Sequence, residues 1–264
     1  MAKRDREKHP VEKKDIPIET IGRTSVTSER REVTGESIEN WIPKTELGKK
    51  VKNKEITDVN EVLDKGLPIL EAEIVDKLVP GLEYVLLNIG QSKGKFGGGK
   101  KSIWKQTQKK TKEGNKPSFF TLAVVGNRNG YVGIGQGKAK ETVPAREKAT
   151  KNAKLNIIKI RRGCGDWACN CGEPHSIPFK VYGRCGSVKV YLSPAPKGAG
   201  LVADMETKKI LEMVGIKDVR SNAFGQTRSR LNLAMACFEA LKQLLIIKVP
   251  ETYMKKGGVV EGSL

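Results

Sequence analysis

An α+β fold in two units is what this sequence predicts, and three observations predict it. Residues 69–160 read in the order helix, three strands, helix. Residues 177–248 read as a hairpin followed by two helices flanking a short strand. Between them, residues 161–176 form a basic connector of small, polar and cysteine residues.

The elements follow in chain order. Residues 1–68 mix acids, bases, Ser and Thr without a sustained period, so they read as a long N-terminal extension. Within it Trp41-Ile42-Pro43 and the stretch from Ile56 to Leu70 are local apolar anchors. Ile74, Leu78 and Val79 share a short helix face that Pro80-Gly81 ends. Tyr84 to Ile89 and Phe119 to Val125 read as strands, with a basic loop between them. Gly126-Asn127-Arg128-Asn129-Gly130 tolerates positive φ and turns the chain into a third strand, Tyr131 to Ile134, with an Arg at the tip. A helix from Thr142 to Ala153 follows, with Pro144 in its first turn and Val143, Ala149 and Ala153 on its buried face. In the second unit, Ile177 to Tyr182 and Ser187 to Leu192 pair across Gly183 to Gly186. A helix starts at Asp204, buries Ile210, Leu211 and Val214 and stops at Gly215; Asp218-Val219 is strand, and a last helix runs from Arg228 to Leu245. Residues 249–264 read as a tail.

Charge identifies the kind of partner. The 264 residues carry 49 Lys and Arg against 30 Asp and Glu, a net charge of +19. Such a surplus points to a polyanion, because phosphates attract cations chiefly through counterion release. A membrane-surface protein of this charge needs a bulky amphipathic helix or a lipidation signal. Neither is found, no apolar run approaches a membrane span, and the start MAKRDREKHP is charged where a signal peptide turns apolar, so a cytoplasmic location is expected. Charge alone also fits a free nucleic-acid-binding regulator.

The motifs favour binding over catalysis. Gly94 to Ser102 nearly spells a phosphate-binding loop, but Lys101 stands where the Mg²⁺-binding Ser or Thr belongs, and no apolar helix stripe follows. A basic loop that orders on RNA uses the same glycines and lysines, which makes Lys93, Lys95, Lys100, Lys101, Lys105, Lys109, Lys110 and Lys112 candidate RNA ligands. Gly133 to Gly137 lacks the spacing of a dinucleotide fingerprint and reads as a close-packed strand end. Lys138 and Lys140 stand at the entry of the next helix, where amide N–H groups and lysines together hold phosphate, with Arg146 one turn on. Double-stranded-RNA-binding domains use this helix edge, and Asn127, Arg128 and Asn129 at the hairpin tip join the same RNA-facing set.

Cys164, Cys169, Cys171 and His175, spaced C-x₄-C-x-C-x₃-H, supply three thiolates and an imidazole. Two readings stand: one structural zinc ion, with four protein ligands and no open catalytic position, or reduced thiols beside a surface histidine. The only other histidine is His9, so a nucleophile–His set would have to be built in this same connector, and nothing positions it there. Cys237 sits among Ala234, Phe238 and Leu241 as a small buried hydrophobe. No enzyme, no small-molecule substrate and no cofactor beyond a possible zinc are expected.

With these residues in view, the chain resembles the universal small-subunit ribosomal protein five family in its archaeal and eukaryotic form, which eukaryotic naming calls protein two. The resemblance is carried by Phe119 to Glu141, AKLNIIKIRRGCG from Ala153, PHSIPFKVYGRCGSV from Pro174, SPAPKGAGL from Ser193 and GIKDV from Gly215. It implies a double-stranded-RNA-binding-like α-β-β-β-α domain followed by a left-handed βαβ domain. It also implies binding to small-subunit rRNA, ribosomal proteins four and eight as neighbours, a place near the mRNA entry path and an effect on decoding accuracy. Arg161 and Arg162 at the junction, with Arg184 and Lys197 in the second domain, become rRNA ligands on that resemblance. Gln91 to about Lys105 departs from it as an insertion, and bacterial forms lack the cysteine cluster.

Overall fold

The computed structural model describes residues 31–32, 41–91, 101–169 and 171–262. In the first unit the elements are β1 (Arg31–Glu32), α1 (Glu46–Lys52), α2 (Val59–Asp64), α3 (Ala72–Leu78), β2 (Glu83–Leu86), β3 (Lys105–Thr111), β4 (Gly114–Gly126), β5 (Tyr131–Ala139), α4 (Thr142–Leu155) and β6 (Ile157–Lys159). The strands form an antiparallel sheet in the order β1-β2-β4-β5-β6, with β3 paired only to β4.

Helix α4 lies unusually close to β5. Ala145, Ala149 and Ala153, spaced by four, form a stripe of methyl groups over Gly133, Gly135 and Gly137. A Cβ on Gly135 would sit 2.0 Å from the Ala153 amide nitrogen, so the alternating glycines are a packing device. Val143, expected on the buried face, is 52% exposed. Two residues from Ala145 is about 200° around a helix, so Val143 points away, and Ala145 takes the place assigned to it.

Two further expectations need correction, and the apolar anchors expected in the extension are found packed. The extension is folded onto the first unit from Trp41 onward. Glu71 accepts from the Trp41 indole N–H and from the Lys44 and Thr45 amides, and Trp41, Val51 and Ile74 form a small core of their own. The basic loop is in part a strand, β3, whose alternation of Lys, Gln and Thr carries no apolar face. The C-terminal segment is not a free tail: α7 (Glu251–Lys256) leads into β12 (Val260–Glu261), which pairs antiparallel with β7 (Arg161–Arg162).

The second unit comprises β8 (Val181–Cys185), β9 (Val188–Pro194), β10 (Leu201–Val202), α5 (Met205–Val214), β11 (Val219–Phe224) and α6 (Arg230–Ile246), with sheet order β10-β11-β9-β8. β10 and β11 are parallel and α5 is the crossover between them. Asp204 caps α5 by accepting from the Glu206 amide, and Gly215 ends it in the left-handed region at φ 87°. Glycine serves close approach here too: a Cβ on Gly183 would lie 2.1 Å from the Ala236 carbonyl oxygen of α6.

The two units share one core. Leu87, Leu122, Val124, Val132 and Ile134 of the first sheet pack with Ile210, Leu211, Val214, Leu192 and Leu241 of the second unit. The 126–130 turn is part of that joint. Its Arg128 and Gly130 amides donate to the Met213 and Val214 carbonyls at the end of α5, both at 2.9 Å.

Candidate nucleic-acid interface and cysteine cluster

The basic positions separate into an arm, a rim and a joint. β5 pairs with β4 only as far as Phe119, so residues 107–118 form a two-stranded arm beyond the sheet. At about 3.3 Å per residue it projects roughly 17 Å. Lys109, Lys110, Lys112 and Lys116 are all exposed on this arm and Lys105 at its root, against one acid, Glu113. Lys116 was missed by the sequence reading, because only the register reveals that it stands directly opposite Lys109. Like charges facing across a strand pair are unfavourable, and an isolated two-stranded ribbon is marginal in water. Glu113, 3.0 Å from Lys116, offsets part of the repulsion. The remaining charge is a surface matched to a polyanion.

At the root of the arm, Lys105, Phe120 and Lys138 are cross-strand neighbours in one row. Lys138 and Lys140 are exposed and Arg146 is half-buried, so these three continue the basic rim. Lys101 is half-buried, and burial together with nearby Arg230 holds its ammonium below the usual lysine range. Lys93, Lys95 and Lys100 lie outside the described residues.

The turn and junction residues do other work. Asn127 accepts from the Asn129 and Tyr131 amides and so shapes the turn. Arg128, at φ 54°, pairs with Glu83 at 2.8 Å. Arg161 and Arg162 are only 8% and 4% exposed, which corrects their reading as phosphate ligands. Arg161 pairs with Glu261 and donates to the Ile247 carbonyl, whereas Arg162 donates to Asn129 and to the Gly262 carbonyl. Burial holds the Arg162 guanidinium below its ordinary value. Both arginines fasten the C-terminal strand to the joint. Arg184 is exposed on β8, and Lys197 is exposed but paired with Glu173 at 2.7 Å.

Cys164, Cys169, Cys171 and His175 come together as the spacing predicted, their ligand atoms all within 4.8 Å of one another. Tetrahedral zinc with Zn–S of about 2.3 Å needs edges near ~3.8 Å, so a small contraction suffices. His175 Nε2 lies 3.7 Å from the Cys169 sulfur, while Nδ1 is 2.8 Å from the buried Asp218 carboxylate. Asp218 is itself fixed, because its other oxygen accepts from the Gly198 and Gly200 amides. A carboxylate behind a histidine sets its tautomer and points the far nitrogen at a metal. Asp218 is 43 residues from His175, so no local spacing could have revealed it. Burial pushes the Cys164 thiol up to about 11, whereas amides, the Lys197 N–H first, hold Cys169 down to about 6. The donor set and the oriented imidazole fit a structural ion, and among the described residues no fifth group is positioned for chemistry. Cys237 is fully buried in α6, and burial pushes its thiol up to about 12.

Comparison with known proteins follows this geometry. Residues 103–161 match the family described as ribosomal protein S5, N-terminal domain, and residues 183–251 match ribosomal protein S5, C-terminal domain. The chain is 50% identical over 226 residues to the small ribosomal subunit protein uS5 of Methanocaldococcus jannaschii, covering 86% of this chain and 97% of that one. It is 48% identical over 228 residues to that of Nanoarchaeum equitans, covering 86% and 98%. With that of Methanobrevibacter smithii it shares 50% over 223 residues, covering 84% and 98%. Among the described residues no helix is long and apolar enough to cross a membrane.

Proposed function

The chain belongs to the ribosomal protein S5 family, and from that premise we propose how its surface serves the small ribosomal subunit. It is a structural, RNA-binding constituent of the ribosome and not an enzyme. The arm of residues 107–118 and its root are the leading rRNA contact, with Lys105, Lys109, Lys110, Lys112 and Lys116 on phosphates, and Lys138, Lys140 and Arg146 extend that contact along the rim. The observation that carries this reading is the exposed ribbon with Lys109 and Lys116 face to face, a charge arrangement that polyphosphate relieves. Lys93, Lys95 and Lys100 are assigned to the same contact on sequence alone.

The family resemblance supports the finer reading. In it the chain neighbours ribosomal proteins four and eight, borders the mRNA entry path, supports decoding accuracy and works in the cytoplasm. The cysteine cluster would hold one structural zinc ion, with Cys164, Cys169, Cys171 and His175 as ligands. When bound, the ion supplies only a cross-link within the connector, which the His175–Asp218 hydrogen bond ties to the second unit.

A map of protein–RNA crosslinks in the intact small subunit tests the arm. Adducts at Lys109, Lys110 and Lys112 are the expected result. A map in which the arm yields none while the rim does would overturn its leading role.

A further inference from the structure

We propose that the open face of the second sheet is a stacking platform for unpaired bases of single-stranded RNA, separate from the basic arm. α6 covers one face of β8 and β9, and strand alternation sends every second residue to the other. That second face carries Lys180, Tyr182 and Arg184 on and before β8, Lys189 and Tyr191 on β9, and Arg220, Asn222 and Phe224 on β11. The register puts Tyr182 opposite Tyr191, and Tyr191 opposite Asn222.

Three rings thus run across three strands. Tyr182 and Tyr191 are stacked with centroids 5.8 Å apart, and Phe224 meets Tyr191 edge-on at 5.7 Å. Tyr182 is 51% exposed and Phe224 56%, so each keeps a ring surface in water. Beside them a depression of about 460 Å³ is lined by Lys180, Lys189, Tyr191, Asn222 and Phe224. Lys180 lies 5.5 Å from the centre of the Tyr191 ring.

The charge decides the occupant. Four cations, Lys180, Arg184, Lys189 and Arg220, share this face, and no carboxylate stands among its positions. Protein-docking patches are depleted of lysine at their centres. Aromatic rings interleaved with Lys and Arg match a strand of nucleotides, whose bases stack while its phosphates pair with cations. Asn222 adds a side-chain amide within reach of a base edge.

The proposal rests on RNA being this chain's partner, and the test separates the two claims. Full-length protein is titrated with labelled oligouridylate and oligoadenylate of about ten nucleotides. The double variant Tyr182→Thr, Phe224→Thr should bind about tenfold more weakly with an unchanged salt slope, because stacking releases no counterions. Tyr182→Trp should bind at least as tightly as the parent. In purified small subunits, ultraviolet light should join a nucleotide to Tyr182, Tyr191 or Phe224. The platform is overturned if the double variant binds like the parent, or if Tyr182→Trp loses as much as the double variant. It is also overturned if these rings give no nucleotide adduct while Lys180 and Lys189 crosslink to a neighbouring protein, which would make the face a protein contact. A variant with the arm lysines neutralised serves as reference: if it alone loses affinity, the arm reading stands and only the platform fails.

Discussion

Neutralising Lys105, Lys109, Lys110 and Lys116 to Gln tests the arm by a signature that structural damage cannot imitate. Each lysine that neutralises a duplex phosphate contributes about 0.9 to the slope of log K against log salt, so four contacts contribute roughly 3 to 4. Between 50 and 200 mM salt that slope costs the parent about a hundredfold in affinity that the variant, lacking those contacts, does not lose. The substitutions should not unfold the arm. They remove the Lys109–Lys116 opposition, an unfavourable pair worth a few tenths to ~1 kcal/mol, so the melting temperature should hold or rise. The assay is a binding isotherm with purified small-subunit rRNA at four or more salt concentrations, on the full chain. A variant whose slope equals the parent's would refute the arm as a phosphate ligand, even if its affinity were lower, because a uniform loss at all salt concentrations belongs to shape and not to charge.

Other consequences follow from the packing. Gly135→Ala forces a methyl to within 2.0 Å of the Ala153 nitrogen and should cost about 1–3 kcal/mol in a denaturant titration; an unchanged midpoint would show that α4 is not in such close contact. Arg162→Ala should lower stability by about 2–4 kcal/mol through a cavity and lost hydrogen bonds to Asn129 and Gly262, yet leave the salt slope of RNA binding unaltered. Metal analysis of reduced, unchelated protein should find zinc near unit stoichiometry, and its absence ends the zinc reading. Asp218→Asn should then weaken zinc about 10–100-fold in a chelator competition, since it loosens the His175 ring. Burial alone would raise the Glu71 carboxyl, but hydrogen bonds from Thr45, Lys44 and Trp41 outweigh it and hold the group below the ordinary carboxylate range. The latch therefore stabilises the 41–64 segment above the unfolded pKa and is lost as pH falls through the lower folded value. Trp41 should become more exposed across that acid window, and Glu71→Gln should abolish the step.

Local signals were readable and distant ones were not. β4 from Phe119 onward, β5 and their turn are written in aromatic and β-branched residues and in the Gly and Asn between them, and α5 carries both its cap, Asp204, and its stop, Gly215. The cysteine cluster was readable because its four ligands fall within one loop. β3 was not, since an exposed strand of Lys, Gln and Thr has no apolar period and exists only through pairing with β4. Arg161 and Arg162 misled for a related reason. Composition reports a charge but not its burial, and the residues that enclose them, Glu261 and Gly262, lie 100 positions later in the chain. Asp218, behind His175, was hidden in the same way.

β4 connects these two kinds of residue. Its residues 114–118 belong to the arm, while Leu122 and Val124 are fully buried in the core shared by both units. The strand leaves that core through the 126–130 turn, which is hydrogen-bonded to the end of α5. Both sides of the arm are therefore in register before RNA arrives, β4 anchored in the core and β3 paired to it from Lys105 to Thr111. Binding loses less conformational entropy under those conditions than a free basic loop of the same composition would. This accounts for a basic segment drawn out as a strand: a loop would hold the same lysines, but β4 gives them a spacing and direction set by the core.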